Sequence, residues 1–204
     1  MNIVLVEPEI PPNTGNVARL CAATRTTLHL IEPFGFKLGD AQLKRAGMDY
    51  WQQVEWHRWP DWKAFETQAA PRSNCAESKL WFIESGGPQL YTEVAFAPGD
   101  YLVFGRETAG LPKKLLTENC DRWLRIPMFN PAARSLNLSN CVALVLFEAL
   151  RQQGFKGAIQ CETWGRRRGT LSSEGNPSSA SRLKFTFSTP PPALVKRPSP
   201  GAPP

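Results

Sequence analysis

Short apolar runs alternate along the chain with polar turns and with stretches of helical spacing. NIVLV (2–6), LHLIEP (28–33), LWFIES (80–85), GDYLVFG (99–105) and RWLRIPM (122–128) have strand length and are apolar at successive positions, as in strands covered on both faces. A further short strand is expected around Val54–Trp56. Helices are predicted from about Thr14 to Ala23, over about 40–46, over DWKAFETQ (61–68) behind its leading aspartate, and over LPKKLLTE (111–118), with proline near the first turn. Pro11, Pro12 and Gly15 mark EPEIPPNTGN as irregular. Strands alternating with helices predict an α/β fold, a mostly parallel sheet with helices on both faces. No internal repeat is present.

The pattern is densest at residues 125–155. A strand ending leads through a polar loop into a helix that stops near Gly154, and every residue from Cys141 to Phe147 is apolar. A helix apolar all round must be covered on several sides. The loop before it crowds Asn130, Arg134, Ser135, Asn137, Ser139 and Asn140 together. Two readings fit this cluster, a well-capped core helix or a site held against a core or a subunit interface.

Beyond Phe155 the composition turns to Pro, Ser, Gly and Arg without apolar periodicity, which predicts a disordered tail over 157–204 behind a folded domain of 1–156. Seven Lys/Arg against two acidic residues from Gly157 onward place +5 of the net charge of +6 in that tail. An argument for nucleic-acid binding by the folded part must therefore rest on placed residues. Trp51, Trp56, Trp59 and Trp62 are read as packing residues. No apolar run is long enough to span a membrane, and the N-terminus lacks the features of a secretory signal. The odd set of Cys21, Cys75, Cys120, Cys141 and Cys161, without paired spacing, fits reduced thiols and a cytoplasmic location. With His29 and His57 the only histidines, no metal site is expected.

The familiar dinucleotide, phosphate-loop, serine-hydrolase and zinc-protease signatures are absent. Three polar turns remain, each at the C-terminal end of an expected strand: PPNTGNVAR (11–19), FGRETAGLP (104–112) and IPMFNPAARSLNLSN (126–140). Open parallel sheets bind ligands at that edge, so the three are expected to converge on one pocket. Gly105 and Gly110 bracket the middle turn, where glycine lets main chain approach a flat ligand.

Together, NTGN-x-x-R, FG-x-ET-x-GLP and RS-[LM]-NLSN, with LHLIEPFGF and EALRQQGF, closely resemble the tRNA (cytidine/uridine-34)-2′-O-methyltransferases of the SPOUT class. The likeness covers about residues 1–156. It implies a parallel α/β sheet whose C-terminal segment threads a loop to form a trefoil knot, an obligate homodimer whose site the partner chain completes, and S-adenosylmethionine bound in the knot. The implied reaction is methyl transfer to the ribose 2′-hydroxyl of the wobble nucleotide in the tRNA anticodon loop.

Carried over by motif, the cofactor contacts fall at Ile83, Gly105, Ile126 and Ser135, and the catalytic group is Arg19, Ser135 and Asn137. Asn13, Asn16, Arg19 and Arg134 are the implied RNA-binding residues, with Asn13 and Asn16 also shaping the first turn. Arg19 stays protonated at working pH, which suits it to clamp a substrate phosphate and polarise the hydroxyl, while a phosphate oxygen or water takes the proton. Arg106 and Glu107 lie in the second turn, where Glu107 is expected to fix the loop or pair with a basic group.

Three departures mark this chain. Arg25 stands where glycine is usual, which predicts strain between helix and strand. The loop between Met128 and Arg134 is one residue longer, and the tail has no counterpart. A SPOUT enzyme acting on ribosomal RNA and a catalytically silent dimeric RNA-binding relative are the competing readings.

Overall fold

The computed structural model describes residues 1–37, 51–69 and 78–159. The helix expected over 40–46, Cys75, Cys161 and nearly all of the 157–204 tail lie outside them.

Among the described residues, β1 (Asn2–Val6), β2 (Thr27–Ile31), β3 (Trp56–Trp59), β4 (Leu80–Ile83), β5 (Gln89–Leu90), β6 (Tyr101–Phe104) and β7 (Trp123–Arg125) form one sheet. Its order is β3-β2-β1-β6-β4-β7-β5, and every pairing is parallel. The helices are α1 (Pro11–Thr24), α2 (Trp62–Gln68), α3 (Lys113–Thr117) and α4 (Leu138–Gln152), with a 3-10 turn at Cys120–Arg122. The chain runs outward from β1 through β2 to β3, and the remaining strands lie on the other side of β1. The strand order thus reverses between β1 and β6, the place where open α/β sheets leave a crevice.

The alternation of side chains builds two cores. Ile3, Leu5, Leu28, Leu30, Leu102 and Phe104 face α1 and α4, meeting Val17, Ala18, Cys21, Val142, Val145, Leu146 and Ala149. Val4, Val6, Ile31, Phe82 and Val103 point to the opposite face against Phe65 of α2 and Leu115 and Leu116 of α3. A fully buried Val or Leu contributes about 1.5–3 kcal/mol, so α1 and α4 are held to the sheet by packing far more than by propensity. Trp59 and Trp62 pack around Phe65, in line with their reading as packing residues.

Strand β1 has its expected span, β2, β4, β6 and β7 are shorter than expected, and β3 lies at Trp56–Trp59 rather than around Val54–Trp56; two helices differ from their sequence reading in ways that matter. Helix α1 starts at Pro11, three residues before the expected Thr14. The first helical positions need no N–H donor and suit proline's fixed φ, so the residues read as breakers open the helix. At its other end Arg25 takes the left-handed conformation, φ 53°, with its N–H donating to the Cys21 carbonyl; the strain expected there is present. Among the described residues, helix α4 is covered on its inward side only. Its outward Leu144 and Phe147, with Phe155 against Phe147, are exposed.

The N-terminal edge of the sheet is closed by Asp100, whose buried carboxylate accepts hydrogen bonds from Lys79 N (2.7 Å), Trp81 Nε1 (2.8 Å) and Ala97 N (2.9 Å). The opposite edge is open.

Candidate functional site

At that open edge the first and second turns clasp each other. The Glu107 carboxylate accepts from Glu9 N (2.8 Å), Ile10 N (3.3 Å) and Asn13 Nδ2 (2.9 Å). In return, the Glu9 carboxylate accepts from Thr108 N (3.0 Å) and Thr108 Oγ1 (2.7 Å). Arg106 pairs with Glu7 at 2.6 Å. Helix α1 has no side-chain cap of its own, so Glu107 brings both an acceptor and a negative charge to its positive end. The loop-fixing role expected of Glu107 is the one it performs.

The third turn joins through a single amide. Asn13 Oδ1 accepts from Asn137 Nδ2 at 2.9 Å. Asn137 Oδ1 caps α4, accepting from Ser139 N (2.9 Å) and Ser139 Oγ (2.7 Å). A polar chain from Glu107 through Asn13 and Asn137 to Ser139 therefore ties together segments from three distant parts of the sequence.

These turns enclose a cavity of about 510 Å³, within the range of small-molecule sites. Its walls include Ile83, Phe104, Gly105, Ile126 and Leu138, with Glu84, Ser85, Arg134, Ser135 and Asn137 supplying polar groups. Main chain forms one wall outright. A Cβ on Gly105 would lie 2.5 Å from the Gly110 carbonyl oxygen, and Gly110 itself has φ +66°. Behind Gly110 stands Glu84, whose carboxylate accepts from Leu111 N (3.1 Å), Ser85 N (2.8 Å) and Ser85 Oγ (3.0 Å).

Of the residues named from the sequence, Ile83, Gly105, Ile126 and Ser135 all line the cavity, as do Asn13, Arg134 and Asn137. Asn16 and Arg19 do not; they are exposed on α1. Asn13 is 5 % exposed with both ends of its amide engaged inside the protein. Its hydrogen bonds serve the turn-shaping role expected of it. Sequence reasoning missed Glu84, whose only signal was its place one residue beyond a buried strand at the ligand-binding edge.

No histidine lines the cavity. His29 lies among Trp59, Phe65 and Tyr101, where burial first and the neighbouring His57 second push it down to about 4. Cys141 does line the cavity, but burial, with Glu84 nearby, pushes its thiol up to about 11. It therefore stays protonated and is no nucleophile. Among the described residues no group of three or more His, Cys, Asp or Glu could hold a metal ion. The arrangement suits binding and alignment of a ligand with a flat apolar part and a polar end.

The family described as SpoU rRNA Methylase matches residues 1–147. A tRNA (cytidine(34)-2′-O)-methyltransferase of Saccharophagus degradans is 51 % identical over 160 residues, covering 77 % of this chain and 98 % of the relative. The Escherichia coli (strain K12) protein of the same name is 46 % identical over 160 residues, covering 78 % and 98 %. Among solved structures, one described as "Structural insights into the 2-OH methylation of C/U34 on tRNA" is similar with a TM-score of 0.70 at 42 % identity, covering 76 % of this chain and 97 % of that one. The SpoU methyltransferase AviRb of Streptomyces viridochromogenes, solved with AdoMet, is similar with a TM-score of 0.67 at 25 % identity, covering 76 % and 61 %.

Proposed function

The chain belongs to the SpoU rRNA Methylase family, and we infer from that membership that it methylates the ribose 2′-hydroxyl of nucleotide 34, cytidine or a modified uridine, in tRNA. The cofactor is S-adenosylmethionine. Similarity to the tRNA enzymes over nearly their whole length favours tRNA over a ribosomal substrate.

The observation that carries this reading is the gathering of Ile83, Gly105, Ile126 and Ser135 around one cavity at the sheet's C-terminal edge. The cavity fits the cofactor. Its glycine-built wall lets main-chain groups reach the edge of a planar base, Ile83 and Ile126 offer apolar faces, and the Glu84 and Ser135 side accommodates polar groups. When bound, S-adenosylmethionine supplies a sulfonium methyl already activated toward an oxygen nucleophile. The protein's part is alignment. Ser135 and Asn137 hold the loop over the cavity, and Arg134 and Asn16 hold RNA. Arg19 clamps a phosphate of the substrate and polarises the hydroxyl, with a phosphate oxygen or water accepting the proton; no histidine lines the cavity.

The active form is a homodimer with a trefoil knot in each protomer. Two facts support the pairing: the outward apolar face of α4 has no cover among the described residues, and Arg19 lies outside its own chain's cavity lining. A pair of protomers buries the first and can deliver the second to a neighbouring cavity. For the knot, the support is that β4 lies between β6 and β7 and that residues 134–138 return beside the 105–110 turn. Residues 1–156 make up the methyltransferase domain and 157–204 a basic extension. The enzyme works in the cytoplasm with its tRNA; among the described residues no helix is long and apolar enough to cross a membrane.

The test is incubation of the purified chain with labelled S-adenosylmethionine and total tRNA, followed by mapping of the 2′-O-methylated nucleotide. Label at position 34 is the expected result. Cofactor binding without transfer to any tRNA would identify a silent RNA-binding relative.

A further inference from the structure

Three exposed apolar side chains stand at the cavity beside exposed polar ones such as Arg134 and Ser135. Ile10, Met128 and Leu136 line it while remaining 42 %, 39 % and 38 % exposed. Next to Met128 stands Phe129, 96 % exposed. Single exposed apolar side chains need no explanation, but here they converge on the mouth of one site. The loop that carries Phe129 is also ordered from within. Asn130 folds the next residues into a turn, its Oδ1 accepting from Ala132 N at 3.0 Å and its carbonyl from Ala133 N at 3.0 Å, with Pro131 between. Phe129 is thus held at the base of a stiff turn and does not ride on a free tip.

We propose that Phe129 is the stacking platform for the nucleobase whose ribose is methylated. The proposal rests on the ribose methyltransferase reading above. A ribose presented to a donor inside this cavity must leave its base at the mouth, a few ångströms away. An anticodon base drawn out of its neighbours' stack loses their π contacts and needs a replacement surface. Phe104 is buried in the cavity wall, whereas Phe129, the chain neighbour of the lining residue Met128, is 96 % exposed. Stacking is tolerant of base identity because every base has a π face. It therefore suits an enzyme that accepts both a cytidine and a modified uridine, where a hydrogen-bonding pocket would select one of them. The apolar side chains of Ile10, Met128 and Leu136 shield the stacked base from water, and the polar lining residues such as Arg134 and Ser135 are left to recognise the sugar-phosphate.

The experiment compares the wild-type chain with Phe129→Ala, Phe129→Leu and Phe129→Trp. Four readouts are used: kcat/KM for methyl transfer to tRNA, S-adenosylmethionine affinity, sedimentation, and affinity for tRNA abasic at position 34 against intact tRNA, the last with S-adenosylhomocysteine present. Phe129→Ala and Phe129→Leu are expected to lose on the order of tenfold in kcat/KM, and Phe129→Trp to retain it. Cofactor affinity and sedimentation stay unchanged. The wild type prefers intact over abasic tRNA, and Phe129→Ala abolishes that preference. Equal activity of Phe129→Ala and the wild type overturns the proposal while leaving the methyltransferase reading intact. So does full activity in Phe129→Leu, or a shift in sedimentation, which would make Phe129 a contact between protomers. A wild-type chain that methylates no tRNA overturns the underlying reading itself.

Discussion

Asn13 and Asn137 meet across 124 positions of sequence through one hydrogen bond of 2.9 Å. The same Asn13 amide donates to Glu107, so one side chain fixes the spacing of all three turns. Replacing it with Asp removes the donor and sets a second carboxylate against Glu107. Asn13→Asp should destabilise the fold by about 2–4 kcal/mol and slow methyl transfer on the order of tenfold or more. Denaturant titration and single-turnover kinetics on the same preparation check both. Unchanged values would show that the turns hold their places without this bridge.

Gly105 packs main chain against main chain, with no room for a methyl group beside the Gly110 carbonyl. Gly105→Ala should cost about 1–3 kcal/mol through overpacking and weaken S-adenosylmethionine binding by an order of magnitude or more. Calorimetric titration measures the second effect. Cofactor affinity like that of the wild type would remove the 105–110 wall from the binding site.

For Arg19, charge alone should not suffice if a phosphate is gripped by two parallel N–H donors. Arg19→Lys is expected to lower kcat roughly tenfold or more while cofactor affinity is unchanged. Retention of near-wild-type methylation would rule out the bidentate clamp.

His29 makes stability depend on pH. Its folded pKa, about 4, lies below its ordinary 6.5, so between those values the unfolded chain binds more protons than the folded one. The stability contributed by neutral His29 is complete above about pH 6.5 and is lost as pH falls toward 4, a change on the order of 3 kcal/mol. Denaturant midpoints at pH 7 and pH 4.5 should differ less in His29→Gln, which keeps an acceptor for Trp59 Nε1, than in the wild type. An identical pH dependence would place the titration elsewhere.

Arg25 occupies a left-handed position that glycine adopts freely. Arg25→Gly should therefore stabilise the protein by about 0.5–1 kcal/mol without altering methyl transfer. Thermal melts read the first and initial rates the second.

The sheet was legible from sequence because its central strands are runs such as Ile3–Val6 and Leu102–Phe104, with enough consecutive apolar positions to require burial on both faces. β5 was not legible, since Gln89–Leu90 pairs only by its placement beside β7 and carries no periodicity. Pro11 and Pro12 were misread because proline's two local effects, ending a helix and beginning one, look alike until the following residues are folded. The convergence of three turns followed from strand ends and parallel topology. What made them one site did not, because the bond from Asn13 to Asn137 depends on side-chain orientation that spacing does not encode. The run from Cys141 to Phe147 called for cover on several sides. Among the described residues, the sheet and α1 meet only its inward half.

Asp100 sits at the other rim of the sheet and binds Lys79, Trp81 and Ala97 to itself. A firm anchor thus stands at the end of the strands away from the cavity. Engineering aimed at a hardier catalyst can begin at that stitched rim, away from the groups that line the cavity.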